Sequence, residues 1–427
     1  MTKLVPEDTI EREVYHLYPT HGLLNDPNGL VYFKDQYHVF FQWNNQAVNH
    51  KYKEWGHFVS DDLKHWQRLD NALHPSLPED SAGIYSGSAI VKDDKLYLFY
   101  TGNVRDADGH SVASHQMWAV SEDGIHFEKL GELFEHPEGY TRHVRDPRVW
   151  QGKNGHYYLI VGAQRQVDLT GDILIYESRD FKTWQLRGSL IEDVLLDVRG
   201  YMIECPDLFV VDGHTVLAFS PQGLEPDTIH HRYENIHNTG YVIGRFDENT
   251  ARFVPETSFT EMDRGFEFYA PQTMHVPHDD GTVRQILWAW AGMMTPEREM
   301  MVPTIKDGWL HVLTVPRELH VTDALKLTQE PIDEILRVKP LRDLVDPPVG
   351  QYTLNTTDNW QLTLGEDFEI ARTDNTIIMR RRQWESNLWE TRQITGDVDQ
   401  VTLIIDHDIV ELYTDGYQQV MTARYFK

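Results

Sequence analysis

The chain has 427 residues, 40% of them hydrophobic, which is ordinary for a folded globular protein and enough for roughly two to three domains. Lysine and arginine number 39 against 67 aspartates and glutamates, and the net charge of −28 argues against nucleic acid and anionic membranes as partners. The single cysteine excludes an intrachain disulfide, no apolar run could span a membrane, and the first residues lack a secretory signal, so we expect a cytoplasmic protein.

Four segments share the pattern of an apolar strand, a tight polar turn and a second apolar strand, which is typical of a β-hairpin. They cover residues 29–44, 88–103, 148–164 and 207–223, and a looser fifth copy covers 269–292 with its turn at 278–281. The aligned residues Val31, Ile90, Val149 and Phe209 are 59, 59 and 60 positions apart. This regular period predicts an all-β fold with five propeller blades, because a single sandwich or barrel would not explain it.

A second repeated motif lies between the hairpins and has the form Ser-x-Asp, with an aromatic residue six positions after the serine. It occurs in residues 60–69, 121–130 and 178–187. We expect the aspartate to close a turn through its own backbone and the aromatic ring to pack between neighbouring blades. The motif is therefore interpreted as structural.

The last quarter of the chain differs from the repeat. Residues 326–348 are interpreted as a linker, in which Ile332, Ile335 and Leu336, followed by Leu341 and Leu344, predict a short helix. Residues 349–427 return to alternating strands and predict a small second β domain. The predicted propeller domain covers residues 1–325.

Three acidic residues occupy nearly equivalent positions in blades one, three and four. Asp26, Asp146 and Glu204 lie five, three and five positions before the aligned residue of their blade. Because residues just before the first strand of each blade meet at one rim of a propeller, the three carboxyls should converge. Repulsion would raise the pKa of one of them. A neutral acid beside an ionised carboxylate is what glycoside hydrolysis requires, although any one of these acids alone could simply belong to a proline turn.

The strings around the three acids resemble the signatures of glycoside hydrolase family 32, the β-fructofuranosidases. These boxes are Asn25-Asp26-Pro27-Asn28-Gly29, Arg145-Asp146-Pro147 and Glu204-Cys205, in the order found in the family. Further similar strings are Phe41-Gln42, Trp55-Gly56-His57, Tyr85-Ser86-Gly87-Ser88, Tyr100-Thr101-Gly102, Tyr269-Ala270-Pro271-Gln272 and residues 313–319. The resemblance covers nearly the whole chain.

The resemblance implies a five-bladed β-propeller followed by a β-sandwich, here over residues 349–427. It implies a retaining hydrolase that releases fructose from sucrose, sucrose 6-phosphate or short fructo-oligosaccharides. Asp26 would be the nucleophile and Glu204 the acid/base, about 5–5.5 Å apart. Asp146 would accept hydrogen bonds from the fructose hydroxyls, and Arg145 would bind the Asp146 carboxylate and keep it ionised. Other residues expected at the substrate are Asn25, Gln42, Trp55, Tyr85, Ser86, Tyr269 and Trp290, with Trp288 as an alternative to Trp290.

The chain departs from the family pattern in ways that bear on the substrate. Leu23 stands where many members have an aromatic residue, and His50 stands where invertases often have tryptophan. His50 opens the basic string His50-Lys51-Tyr52-Lys53 in a very acidic chain. This string is either a solvated loop or a binding site for the phosphate of sucrose 6-phosphate. The tail of about 80 residues is also shorter than the usual sandwich of the family.

Two other functions stay open at this stage. A family 43 type arabinofuranosidase or xylosidase shares an arrangement of two aspartates and one glutamate, and a non-catalytic propeller could bind glycans. The Asn-Asp-Pro-Asn-Gly and Glu-Cys boxes favour the β-fructofuranosidase. The 22 histidines show no metal-binding spacing, so we expect neither metal nor cofactor. The expected partner is a small fructoside, and a homo-oligomer is left open.

Overall fold

The computed structural model describes residues 12–277 and 281–427, and these residues form an all-β protein. Strands dominate because aromatic and β-branched residues alternate with polar ones between closely spaced turns. Within the described ranges, helical structure is limited to single turns such as Pro296–Glu299. None of these helices is long and apolar enough to cross a membrane.

Five antiparallel sheets of four main strands follow one another along the first part of the chain. The first sheet contains β1 (Gly22–Phe33), β2 (Gln36–Asn44), β3 (Glu54–Ser60) and β4 (Gln67–Leu73). The second contains β5 (Ile84–Lys92), β6 (Lys95–Arg105), β7 (Ser111–Ser121) and β8 (Glu128–Glu135). The third contains β9 (Tyr140–Gln151), β10 (Tyr157–Arg165), β11 (Gly171–Ser178) and β12 (Gln185–Ser189).

The fourth and fifth sheets carry short additional strands. The fourth contains β13 (Met202–Val211), β14 (His214–Gln222), β15 (Gly240–Asp247) and β16 (Arg252–Pro255), with β17 (Thr260–Glu261) paired to β15. The fifth is built on β18 (Tyr269–Pro277) and β19 (Val283–Ala291). The chain then forms β20 (Trp309–Leu310), which pairs in parallel with β1, and β21 (Val312–Leu313), which pairs with β19. The fifth sheet ends with β22 (Arg317–Val321) and β23 (Leu327–Pro331).

The four clearest hairpins of the sequence repeat are confirmed, because β1 pairs with β2, β5 with β6, β9 with β10 and β13 with β14. The two-residue turns of the first two hairpins consist of residues with a left-handed backbone conformation. Lys34 and Asp35 have φ of 49° and 61°, and Asp93 and Asp94 have φ of 50° and 55°. Such two-residue turns match the twist of the strands that they join. The fifth turn, predicted at 278–281, lies outside the described residues except for Gly281.

The five sheets pack against one another in a cycle. β1 contacts β5, β5 contacts β9, β9 contacts β13, β13 contacts β18, and β18 contacts β1. An apolar cluster fills each space between neighbouring sheets, including the space between the fifth and the first. Burial of these clusters is the main driving force that holds the sheets together.

The Ser-x-Asp motifs act as predicted. In the first, Asp62 Oδ1 accepts the backbone N–H groups of Lys64 and His65 at 3.0 and 2.7 Å. Asp123 and Asp180 form the same turn in the next two copies. The aromatic residue of each motif packs on a ring of the neighbouring sheet, in the pairs Trp66–Trp288, Phe127–Phe40 and Trp184–Phe99.

Two further sheets follow. One contains β24 (Lys339–Pro340), β25 (Gly350–Asn355), β30 (Gln400–Ile405), β31 (Ile409–Thr414) and β32 (Val420–Arg424). The other contains β26 (Trp360–Thr363), β27 (Phe368–Thr373), β28 (Thr376–Arg382) and β29 (Trp389–Thr395). Side chains from both sheets meet in one apolar core, which also includes Phe266 from the segment before β18, and we call these two sheets the second domain.

The prediction of a short helix within residues 326–348 is wrong. Residues 327–331 form β23, in which buried and half-buried residues alternate as in a strand, and residues 333–335 form a turn. The apolar residues that suggested one helix face serve two different cores. Ile332 packs into the cluster between the fifth and first sheets, whereas Leu341 and Leu344 pack on the second domain. The fifth sheet therefore continues to residue 331 and beyond the expected boundary at 325.

A buried ionic network joins the amino-terminal segment, the fifth sheet and the second domain. His16 Nδ1 lies 2.9 Å from Asp406 Oδ2, and His16 Nε2 lies 3.0 Å from Glu411 Oε1. Arg317 contacts Glu411 at 2.7 Å and Asp263 at 3.3 Å. Burial would lower the pKa of His16, but hydrogen bonds to the two carboxylates raise it to about 9. Each buried charge in this network thus has a partner of opposite sign.

We expect Arg317→Met to lower the free energy of unfolding by about 3–5 kcal/mol, because it leaves Glu411 and Asp263 buried without their cation. Urea denaturation monitored by tryptophan fluorescence measures this loss. The matched control is Arg245→Met, because Arg245 is 72% exposed and its ion pair with Glu256 lies in solvent. Equal stability of the two variants would contradict a stabilising role for the network.

Candidate active site

The first strand of every one of the five sheets contains a register shift at the same place. The shifts fall at residues 24–27, 85–87, 145–148, 204–207 and 269–272. Such a β-bulge turns a side chain away from the direction that the strand would give it. Asp146 and Cys205 lie at two of the bulges, and their φ angles of 70° and 47° are left-handed. The repeat therefore presents residues of five strands to one common space.

A cavity of about 530 Å³ opens at the bulges, and the structure brings all three predicted acids, Asp26, Asp146 and Glu204, into its lining. They come from β1, β9 and β13, the first strands of three sheets. A groove of about 760 Å³ adjoins the cavity and shares Ser111, Arg142 and His143 with it. The combined space could hold a sugar at its buried end and a further group outside.

Both carboxylate oxygens of Asp26 are engaged. Asn25 Nδ2 lies 3.2 Å from Asp26 Oδ1, and the Ser86 hydroxyl donates to Asp26 Oδ2 at 2.5 Å. Burial raises the pKa of Asp26, and the charge of Glu204 acts in the same direction, whereas Ser86, Lys53 and Asn25 lower it. The carboxylate is thus buried but provided with donors, which suits a group that must react as an anion.

Glu204 is surrounded by donors. Arg145 donates to Glu204 Oε1 through Nη2 at 2.7 Å and through Nε at 2.9 Å. The Tyr269 hydroxyl and Gln222 Nε2 each donate to Oε2 at 2.6 Å. The expected hydrogen bond from Arg145 to Asp146 is therefore wrong. The bulge turns the Asp146 carboxylate elsewhere, and its Oδ2 accepts the backbone N–H of Cys205 at 2.9 Å.

The three carboxyls differ in their affinity for a proton. Burial raises the pKa of Asp146 to about 7, although the charge of Arg145 opposes this. Burial would also raise the pKa of Glu204, but the charge of Arg145 and the hydrogen bonds from Tyr269 and Arg145 lower it overall. Of the three carboxyls, Asp146 thus has the most strongly raised pKa, as expected for one member of the group. Glu204 is ionised in the free site.

The residues of the basic string do not all reach the cavity. Lys53 is only 5% exposed and lines the cavity, where its Nζ donates to Asn25 Oδ1 and lies 2.9 Å from His50 Nδ1. His50 also lines the cavity, and its Nε2 lies 2.9 Å from Glu299 Oε1. Lys51 is exposed and is not part of the lining. Burial lowers the pKa of Lys53 to about 8.

Most of the remaining predicted residues line the cavity, in contrast to Trp55 and Ser86. The lining includes Asn25, Gln42, Tyr85, Arg145, Tyr269 and Trp290. Trp55 is fully buried behind the wall, and its indole N–H donates to the Tyr85 carbonyl at 3.0 Å. Ser86 lies below the cavity, between Gln42 and Asp26. Trp288, the alternative to Trp290, is fully buried in a core.

Several lining residues were missed from the sequence. They are Asn103, Arg105, Arg142, His143, Gln222, His237 and Glu299, among others. Gln222 ends the second strand of its hairpin, close to where Gln42 lies in the first sheet, so the repeat itself could have indicated it. Glu299 lies on a short helical turn outside the repeat and had no such signal.

Comparisons with known proteins agree on one family. Residues 16–331 match the model described as "Glycosyl hydrolases family 32 N-terminal domain". The sucrose-6-phosphate hydrolase of Bacillus subtilis (strain 168) is 38% identical over 438 residues, which cover 97% of this chain and 89% of that protein. The solved structure of sucrose-6-phosphate hydrolase from Lactobacillus gasseri is similar, with a TM-score of 0.84, 32% identity, and 97% and 88% of the two chains covered. A Bombyx mori GH32 β-fructofuranosidase mutant in complex with sucrose has a TM-score of 0.79 and 29% identity, with 97% and 89% covered.

The reactivity of the Cys205 thiol shows whether this site is closed to solvent. Burial raises its pKa well above the ordinary value, and the charges of Asp146, Asp26 and Glu204 act in the same direction. We expect iodoacetamide at mildly alkaline pH to alkylate the native protein at least about 100-fold more slowly than the urea-denatured chain, because only the thiolate reacts. Intact-mass spectrometry follows the single cysteine directly. Rapid labelling of the native protein would contradict a closed, anionic site.

Proposed function

The chain belongs to glycosyl hydrolase family 32 and is a glycosidase, and on that premise we propose that it is a β-fructofuranosidase. Its substrates are sucrose 6-phosphate, sucrose and short fructo-oligosaccharides. The observation that carries the proposal is the convergence of Asp26, Asp146 and Glu204 in one cavity. A family 43 type glycosidase and a non-catalytic glycan-binding propeller are not favoured, because the chain matches family 32 over most of its length.

The same premise extends to the architecture. The five sheets are the blades of a five-bladed β-propeller that ends at residue 331, and residues 349–427 form a small β-sandwich. The cyclic contacts between the first strands of the sheets support the propeller. The apolar core shared by the two C-terminal sheets supports the sandwich. The segment between them carries β24 and joins the two domains.

The reaction proceeds in two displacements with retention at the anomeric carbon. In the first, an Asp26 oxygen bonds to fructose C2 while the bond from C2 to the leaving oxygen breaks, and Glu204 gives that oxygen its proton. In the second, Glu204 takes a proton from water, the water oxygen bonds to C2, and Asp26 leaves as a carboxylate. Arg145 and Tyr269 hold Glu204 in place through both steps.

Glu204 must gain a proton before the first step, because it is ionised in the free site. Asp146 is the carboxyl that holds a proton most readily. Fructose hydroxyls that donate to Asp146 favour its ionised form, so substrate binding displaces this proton.

We expect Asp26→Asn to reduce kcat/KM for sucrose by roughly 10⁴-fold or more, because the amide cannot act as the nucleophile. Glu204→Gln removes the acid and should cost about 10²–10⁴-fold. Fructose release measured at equal enzyme concentration checks both. Asp94→Asn is the matched control, since Asp94 is exposed in a left-handed turn that asparagine adopts readily. Full activity of either active-site variant would overturn the proposed roles.

The phosphate of sucrose 6-phosphate belongs at the outer end of the cavity. Lys53, one of the residues first considered for it, is buried beside Asn25, where the fructose ring must sit for attack by Asp26, and the more exposed His50 is engaged with Lys53 and Glu299. Lys51 is exposed and does not line the cavity, so we no longer assign phosphate binding to it.

The lining of the cavity offers two arginines instead, the half-buried Arg105 and the exposed Arg142. Arg105 donates to the Tyr85 hydroxyl at 2.8 Å, and Arg142 donates to the Ser111 carbonyl at 3.3 Å. Both of these acceptors are neutral, so the guanidinium charges can pair with a phosphate. His143 lies beside them in the lining.

We expect the double variant Arg105→Met/Arg142→Met to lower kcat/KM for sucrose 6-phosphate by roughly 10- to 100-fold, the effect of losing charge-assisted hydrogen bonds. The value for sucrose should change little. Steady-state kinetics on the two substrates give the ratio, and Arg179→Met, at an exposed position in the turn after β11, is the control. Equal losses on both substrates would refute this assignment, and a selective loss in Lys53→Met would return the phosphate to the basic string.

A further inference from the structure

The polar side chains around Asp26 form a chain of hydrogen bonds that runs in one direction. Lys53 Nζ donates to Asn25 Oδ1, and Asn25 Nδ2 donates to Gln42 Oε1 at 2.8 Å. Gln42 Nε2 donates to the Ser86 hydroxyl, which donates to Asp26 Oδ2 at 2.5 Å. Asn25 Nδ2 also lies 3.2 Å from Asp26 Oδ1. Both branches of the chain therefore end on the carboxylate of Asp26.

The direction of this chain is set at its two ends, because the Lys53 ammonium only donates and the ionised Asp26 carboxylate only accepts. The side-chain amides of Asn25 and Gln42 can present either their oxygen or their nitrogen at a given position, and a serine hydroxyl can donate or accept. An ammonium group has only donors. Lys53 therefore fixes the Asn25 oxygen toward itself, which turns the Asn25 nitrogen toward Gln42 and Asp26. Gln42 must then accept through its oxygen and donate through its nitrogen.

Lys53 is itself held in place from the opposite side. It directly precedes β3 and is almost completely buried. His50 Nδ1 lies 2.9 Å from Lys53 Nζ, so it accepts, and its Nε2–H donates to Glu299 at 2.9 Å. Burial and the charge of Lys53 lower the pKa of His50, which agrees with a neutral ring in this role. Glu299 also contacts His311 at 2.8 Å and provides the negative charge behind the ammonium group.

We propose that Lys53 is a positioning residue for the nucleophile: it fixes the orientation of the Asn25 amide at one end of the chain and places a positive charge beside Asp26. This role rests on the proposed function, since it takes Asp26 as the group that attacks the sugar. It differs from a role in phosphate binding, because it applies equally to substrates that carry no phosphate.

The charge of Lys53 has a defined effect on the pH dependence. The groups that act on Asp26 are the Glu204 carboxylate, which raises its pKa, and Ser86, Lys53 and Asn25, which lower it. Asp146 and the Cys205 thiol face the same space. Since Asp26 must be ionised to attack, removal of Lys53 should raise its pKa and move the acid limb of the activity profile to higher pH.

Two substitutions of Lys53 separate the two parts of the role. Lys53→Met removes the donor and the charge, whereas Lys53→Gln keeps an N–H donor for Asn25 but carries no charge. With sucrose as substrate, we expect Lys53→Met to lower kcat about 10²-fold, the cost of a misplaced reacting group. Lys53→Gln should lose about 10-fold, and both should shift the acid limb of kcat/KM upward by roughly one pH unit. Lys64→Met, at an exposed lysine between β3 and β4, is the control.

Three results would overturn the proposal. The first is an unchanged kcat and acid limb in Lys53→Met. The second is an equal loss in Lys53→Met and Lys53→Gln without any shift of the acid limb, because a purely structural role would give that result. The third is a loss confined to sucrose 6-phosphate. Failure of the wild-type enzyme to release fructose, by contrast, would refute the proposed function itself and not only this role.

Discussion

Three carboxyl groups buried in one small cavity cannot all be ionised at low cost, and the site is organised around this constraint. Each of the three has a different set of partners. Glu204 has donors on both oxygens and the charge of Arg145. Asp26 accepts hydrogen bonds from Ser86 and Asn25, and Asn25 in turn accepts one from Lys53. Asp146 is buried with fewer donors and therefore holds its proton most strongly. Charge is thus divided among the acids by the side chains around them.

The scaffold explains why these groups meet at all. Five sheets pack in a cycle, so their first strands surround a common axis, and a bulge in each of these strands turns side chains into the central space. The apolar clusters between neighbouring sheets hold the strands in position. The backbone at Asp146 and Cys205 is left-handed, a conformation that persists only where surrounding packing enforces it. Packing between the sheets therefore holds the backbone of the site in this geometry.

Much of this organisation could be predicted from the sequence, because a repeat of about 60 residues constrains where equivalent positions fall. The hairpins, the Ser-x-Asp turns and the meeting of the three acids all follow from that spacing. Two expectations failed for physical reasons. Ile332 and Leu341 suggested one helix face but belong to two cores, which periodicity along the chain cannot distinguish. Arg145 was expected to bind its neighbour Asp146, but the bulge separates their side chains and directs the guanidinium to Glu204.

The residues outside the repeat were the hardest to foresee. Glu299 reaches the cavity from a connecting segment, and Lys53 appeared in the sequence as part of a basic loop and not as a buried neighbour of Asn25. The configuration of the product shows whether a covalent fructosyl-enzyme forms with retention. Incubation with sucrose in aqueous methanol, followed by NMR of the methyl fructoside formed, gives that configuration. Retention gives the methyl β-fructofuranoside, and formation of the α anomer would contradict the covalent intermediate.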